Sequence, residues 1–168
     1  MKRLLWLDLE TTGRNPRWDH ILQVAVARTD DVGEIIEARE WVVSSDIEDR
    51  EMPQVVLKMH TKSGLLARVR GSEARYMFEV EAELVEFIGP GKPVIAGNNI
   101  GFDRGFITVK FPRADDALHY RAFDVSTLKM FAAMRGLPEY KKTKKHLALD
   151  DVKASIAEFL HWKKEFGR

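Results

Sequence analysis

Cysteine is absent from the 168-residue chain. That excludes disulfides and thiolate metal sites and fits a reducing cytoplasm, where the protein is expected to work. No apolar run approaches the roughly 20 residues of a membrane span, so no membrane partner is expected. The N-terminus is basic and then apolar, but acidic residues interrupt it at Asp8, unlike a signal peptide. An excess of either charge is also missing: 27 Lys and Arg face 26 Asp and Glu, a net charge of +1. Charge alone therefore names no polyanionic partner. Repeats, linkers and low-complexity segments are lacking too. A composition of 45% hydrophobic and 32% charged residues then reads as one soluble domain over residues 1–168.

What is present alternates. Residues 3–9, 21–29 and 34–44 read as strands, the last two joined by the turn "DDVG" and so antiparallel. Short helices are expected over 53–60 and 64–70. Met77, Val80, Leu84, Phe87 and Ile88 recur at helical spacing within 73–88, before "GPGKP". A buried strand over 93–99 leads into a helix over 102–111, stopped by Pro112. Residues 120–125 read as another strand, and 126–136 as a helix with Ser126 at its N-cap. A basic loop follows at 140–145, with Lys141, Lys142, Lys144 and Lys145 either solvated or on a phosphate backbone. Val152, Ile156, Phe159, Leu160 and Phe166 define a last helix. The pattern predicts an α/β fold with one reversed strand in a mixed sheet flanked by helices. Ligands of such sheets bind beyond the carboxyl ends of the parallel strands. Trp6, Trp41 and Trp162 are expected in the core or an interface; Trp18, in "RNPRWDH", stands in a polar stretch.

One such strand end carries acids. In "LLWLDLETTG" an apolar strand delivers Asp8 and Glu10, two residues apart and hence on one face. Two buried carboxylates repel unless a proton or a cation intervenes, and oxygen donors without thiols suit a hard ion, Mg2+ or Mn2+. Alone, the pair is better explained by a solvated strand end, because D-x-E is a common pattern. "GNNIGFD" places Asp103 just after a strand and turn, where a helix start would also favour it. "HLALDD" places His146 before the last helix and Asp151 in its first turn, where Asp150 or Asp151 could simply cap. Together the three segments are far more specific. A two-metal site draws carboxylates from separate elements and adds a base that titrates near neutrality. With those four carboxylates in one pocket, the rest of the chain carries net +5, an acidic site on a mildly basic body.

"DLETTG", "NNIGFD" and "HLALDD" resemble the three motifs of the DEDDh 3′→5′ exonucleases. "HTKSGLLARVR" (60–70), "HYRAFDVSTLK" (119–129) and "GNNIG" narrow the resemblance to the oligoribonuclease family, from Leu4 to about Phe166. The resemblance implies a ribonuclease-H-like fold, a homodimer, and cleavage of short RNA from the 3′ end to 5′-mononucleotides. It implies two divalent ions held by Asp8, Glu10, Asp103 and Asp151, with His146 as general base. Tyr120 would serve the partner subunit's site. His60, Asn99, Arg121 and Ser126 would contact substrate, the last two near its terminal phosphate.

Three positions depart from the family pattern. Arg14 stands where an apolar wedge is usual, Val55 where a base-stacking tryptophan is usual, and Asn99 where serine is usual. Arg14 could still stack or grip a phosphate. "ETTG" is also closer to general DEDDh nucleases. The expected activity is therefore hydrolysis of short single-stranded RNA. The alternatives are a broader DNA and RNA single-strand exonuclease of the proofreading kind, or a non-catalytic nucleic-acid-binding relative.

Overall fold

The computed structural model describes residues 4–141 and 147–167. Its centre is a five-stranded sheet of order β3-β2-β1-β4-β5. The strands are β1 (Leu4–Thr11), β2 (Ile21–Thr29), β3 (Ile35–Val42), β4 (Val94–Gly97) and β5 (Ala122–Asp124). β2 runs antiparallel to both neighbours, while β1–β4 and β4–β5 are parallel. The expected mixed sheet with one reversed strand is thus present. Among the described residues there are seven helices: α1 (Gln54–Ser63), α2 (Leu65–Val69), α3 (Met77–Ile88), α4 (Ile100–Lys110), α5 (Pro112–Ala117), α6 (Val125–Met134) and α7 (Ala148–Phe166). A short 3-10 turn covers Asp49–Glu51.

Alternation along β1 sorts its side chains between two cores. Leu5, Leu7 and Leu9 pack with Val80, Leu84, Phe87, Phe106 and Phe111 beneath α3, α4 and α5. Trp6 packs on the opposite face with Val152, Ile156 and Trp162 of α7. Asp8 and Glu10 continue the Trp6 row, so they face α7. The small side chains Ala25, Ala27 and Ala96 floor that core and let α7 lie close to the sheet. A third cluster, with Leu22, Met52, Leu65 and Leu66, seats α1 and α2 beyond the sheet.

Several boundaries differ from the sequence reading. The helix expected from residue 73 begins at Met77, because Arg75 is held in extended backbone. Its N–H donates to the Val42 carbonyl and its carbonyl accepts from the Ser44 N–H. Pro112 does end α4, yet it also starts α5 as an N1 proline, where its missing N–H costs nothing. Ser126 is not the cap of α6: Asp124 is, accepting the Ser126 N–H at 2.9 Å. Trp6, Trp41 and Trp162 are buried as expected, and Trp18 is 78% exposed. Part of the basic loop, with Lys142, Lys144 and Lys145, lies outside the described residues.

Candidate active site

β1 passes beyond β4 before it ends. Their last paired residues are Trp6 and Ala96, so the segment from Asp8 to Thr11 extends past β4 while still paired with β2. A cleft of about 870 Å³ opens there. Asp8 and Glu10 line it from β1, Asn98, Asn99, Phe102 and Asp103 from the β4–α4 turn and α4, and Asp151, Ser155 and Glu158 from α7. The fourth wall is Ser126 and Lys129 of α6, with Glu139, Tyr140 and Lys141 of the segment after it.

Specific bonds hold the elements that carry the carboxylates in place. Asp103 is 4% exposed, and its Oδ1 accepts the Leu9 N–H at 3.0 Å, where β4 has already turned away. That bond ties α4 to β1 between Asp8 and Glu10. The turn that delivers α4 is tight: a Cβ on Gly97 would lie 2.8 Å from the Leu7 carbonyl oxygen, so glycine is required there. Asn99 takes the left-handed conformation at φ 55°, which asparagine tolerates better than most residues. Gln23 sits across from Glu10 in the β1–β2 register and is fully buried. Its Oε1 accepts the Ala148 N–H at 3.0 Å, one of the unpaired donors at the start of α7. Gln23 therefore pins the first turn of α7 beside Glu10, and Asp151 lies in that turn.

The result is a close carboxylate cluster. One oxygen each of Asp8, Glu10 and Asp151 lies within 4.8 Å of the others. Glu10 is pushed up to about 7, first by burial and then by the charges of Asp151 and Asp103. Asp103 is also raised well above the usual carboxylate range by burial; the Leu9 N–H opposes the shift and the Asp124 charge adds to it. Such acids take up a proton at neutral pH or receive a cation. The donor set is all carboxylate oxygen in a chain without cysteine, which fits a hard divalent ion. Asp8, Glu10 and Asp151 would hold it, with Asp103 adjoining.

The remaining sequence candidates are distributed differently. Asn99 and Ser126 reach the cleft. Asp124, which the sequence reading passed over, occupies their donors: its Oδ1 accepts the Asn99 N–H at 2.9 Å and the Ser126 hydroxyl at 2.6 Å. His60, expected at the substrate, is buried behind Glu10. Its ring is 0% exposed, Nε2 donates to the Thr11 carbonyl at 2.9 Å, and Nδ1 lies 3.9 Å from Glu10 Oε2. It backs Glu10 from inside the protein. The threonines of "ETTG" pin the same loop: the Thr11 hydroxyl donates to the Gly13 carbonyl, and the Thr12 hydroxyl accepts the His20 N–H. Arg14 is exposed on that loop and is not among the residues lining the cleft. Tyr120, 77% exposed, stacks on His119 at 4.5 Å with the Arg121 guanidinium 5.3 Å from its ring centre. Neither Tyr120 nor Arg121 lines the cleft of its own chain. His146 lies outside the described residues; Leu147, next in sequence, is the N-cap of α7.

Sequence reasoning missed Asn98, Ser155 and Glu158. The Asn98 amide donates to the Ser155 hydroxyl and to Glu158 Oε2, each at 3.0 Å. Asp151, Ser155 and Glu158 are four and then three residues apart, one helical stripe, and that spacing was the available signal.

Comparison with known proteins agrees with this geometry. An exonuclease family model, RNase T, matches residues 5–159. An oligoribonuclease of Pseudomonas fluorescens strain Pf0-1 is 39% identical over 175 residues, covering 98% of this chain and 96% of that protein. One from Colwellia psychrerythraea is 40% identical over 172 residues, covering 97% and 94%. Among solved structures, E. coli exonuclease I in complex with a dT13 oligonucleotide superposes with a TM-score of 0.77 at 21% identity. The alignment covers 100% of this chain and 42% of that one. Exonuclease I from Methylocaldum szegediense gives a TM-score of 0.79 at 20% identity, with the same coverage. At such identities the likeness speaks for the ribonuclease-H-like fold alone.

Proposed function

The chain belongs to the exonuclease family, among its oligoribonucleases, and from that premise we propose that it shortens single-stranded RNA oligonucleotides from the 3′ end, releasing 5′-mononucleotides. The observation that carries this reading is the convergence of Asp8, Glu10 and Asp151 from a strand and a helix into one open cleft. Asp8, Glu10, Asp103 and Asp151 would hold two divalent ions, Mg2+ or Mn2+. Bound there, the ions supply a counter-charge for these acids, Lewis acidity toward water and the phosphate, and charge stabilisation for the departing 3′ oxygen.

The chain's own groups do the rest. His146, five residues before Asp151, accepts a proton from the attacking water through its neutral imidazole. The water oxygen bonds to the last phosphorus, the P–O3′ bond breaks, and the 3′ oxygen takes up a proton. Gln23 and the Leu9 N–H keep the acids in place while charge moves. Phe102 offers the cleft an aromatic surface for a base. The protein works as a homodimer in the cytoplasm, with Tyr120 lent across the interface. Support for the dimer is the exposed apolar set Tyr120, Met130, Phe131 and Met134, exposed by 49–85% at and just before α6. No helix among the described residues is long and apolar enough to cross a membrane.

A broader length range than the family norm is favoured by Val55, which is 74% exposed and offers no π face. Stacking on an aromatic contributes about 1–3 kcal/mol per base. The test is single-turnover hydrolysis of 5′-labelled RNAs and DNAs of increasing length in Mg2+ at fixed salt. Stepwise loss of 3′ nucleotides is expected, with oligomers of roughly five nucleotides degraded within about tenfold of dinucleotides. A hundredfold collapse beyond the dinucleotide would refute the broad range. Internal cuts, or no hydrolysis of any RNA, would overturn the function.

A further inference from the structure

Six carboxylates line the cleft: Asp8, Glu10, Asp103, Glu139, Asp151 and Glu158. Two ammonium groups, Lys129 and Lys141, also line it. Metal ions would balance the inner acids, but an oligonucleotide brings further phosphates that need donors of their own. At the α6 wall those donors are few among the described residues. Asp124 already accepts both the N–H and the hydroxyl of Ser126, and the Asn99 N–H as well. Lys129 lies one helical turn beyond Ser126 on the same wall. Its ammonium is bonded to Glu139 Oε1 at 2.6 Å.

That ion pair is easily exchanged. Its side chains are 47% and 67% exposed, so water and salt screen it and little is lost when it opens. A lysine bond to a phosphodiester is charge-assisted and stronger. Lys129 and Glu139 both line the cleft, as does the buried Glu158. Lys129 is raised above its usual value by Glu139 first, with Glu158 adding to the effect. Glu139 is lowered by Lys129 first, with Lys141 adding. The ammonium is thus bonded to a surface carboxylate on the wall of the acidic cleft.

We propose that Lys129 binds a backbone phosphate of the oligonucleotide and that Glu139 is a built-in competitor, occupying the ammonium until the substrate displaces it. This rests on the reading of the cleft as an oligonucleotide site and adds a residue pair that sets affinity. Glu139 acts as a removable substitute for the phosphate, and it recaptures Lys129 as the product leaves.

The experiment is equilibrium binding of a 5′-labelled RNA tetranucleotide, with Ca2+ replacing Mg2+ and over a series of salt concentrations. Glu139→Gln should tighten binding about two- to fivefold, the worth of the exposed pair. Lys129→Met keeps the stem and should weaken binding about tenfold. It should also flatten the logarithmic salt slope by about 0.7, one phosphate contact on a single strand. Lys129→Met with Glu139→Gln should bind like Lys129→Met, because Glu139 acts only through the ammonium. Lys129→Arg should retain most of the affinity and the full slope. A brace between α6 and the following segment would instead make Glu139→Gln bind no better than the wild type. General repulsion by Glu139 would make its removal tighten the Lys129→Met protein too. Either result overturns the inference while wild-type binding and hydrolysis keep the function standing. A wild type that neither binds nor cleaves RNA removes both.

Discussion

Glu10→Gln should stabilise the metal-free protein at pH 8 by about 2 kcal/mol while abolishing activity. Glu10 is 7% exposed and faces Asp8, Asp151 and Asp103, with His60 behind it. Burial and those charges raise it from 4.5 to about 7. A group raised on folding lends stability that is fully present below pH 4.5 and is lost as pH climbs through about 7. The loss comes to about 3 kcal/mol at 1.36 kcal/mol per unit. A glutamine has no charge to lose, but its buried amide donors need partners at a cost of about 1 kcal/mol. The balance is a gain of about 2 kcal/mol, or roughly 4–8 °C in Tm for a chain of this size. The assay is thermal unfolding of both proteins in a chelator from pH 4.5 to 8. The difference should grow across that window and level off above it. Adding Mg2+ should raise the wild type far more than the variant, because only the native wild-type site binds it well. A variant less stable than wild type at pH 8 without metal, or a difference indifferent to pH, would refute the reasoning.

Three further outcomes are expected. Asp103→Asn keeps an oxygen for the Leu9 N–H but removes the charge, so turnover should fall at least 10²-fold, about 2.7 kcal/mol of barrier, with the fold intact; near-normal hydrolysis would remove it from the metal set. His146→Ala should lose most activity yet still bind RNA; full rate at pH 7 would place the base elsewhere. Mixing Tyr120→Ala with Asp8→Ala subunits should restore part of the activity, since one site of each mixed dimer has all its parts; a stable, active monomer in sedimentation would exclude the exchange.

Local rules carried much of this protein. The alternation of "LLWLDLETTG" determined both that β1 is buried on two faces and that Asp8 and Glu10 share one of them, because the strand period of two is a backbone property. The "DDVG" turn determined the antiparallel β2–β3 pair, turn-then-carboxylate spacing placed Asp103 in the first turn of α4, and H-x4-D placed Asp151 in the first turn of α7. Tertiary structure decided which residues stand behind them. His60 has the same local sequence whether it touches a ligand or the core; packing under the Thr11 carbonyl made it a buried support. Ser126 and Asp124 are both good capping residues, and the choice fell to Asp124 because it also meets the Asn99 N–H, 25 residues away. Gln23 is separated from Ala148 by 125 residues, and only the docking of α7 on β2 turns it into a cap. Periodicity and turn chemistry act over a few residues and can be read along the chain. A hydrogen bond between distant segments depends on how whole elements pack, and that was decided only when the two cores closed around the sheet.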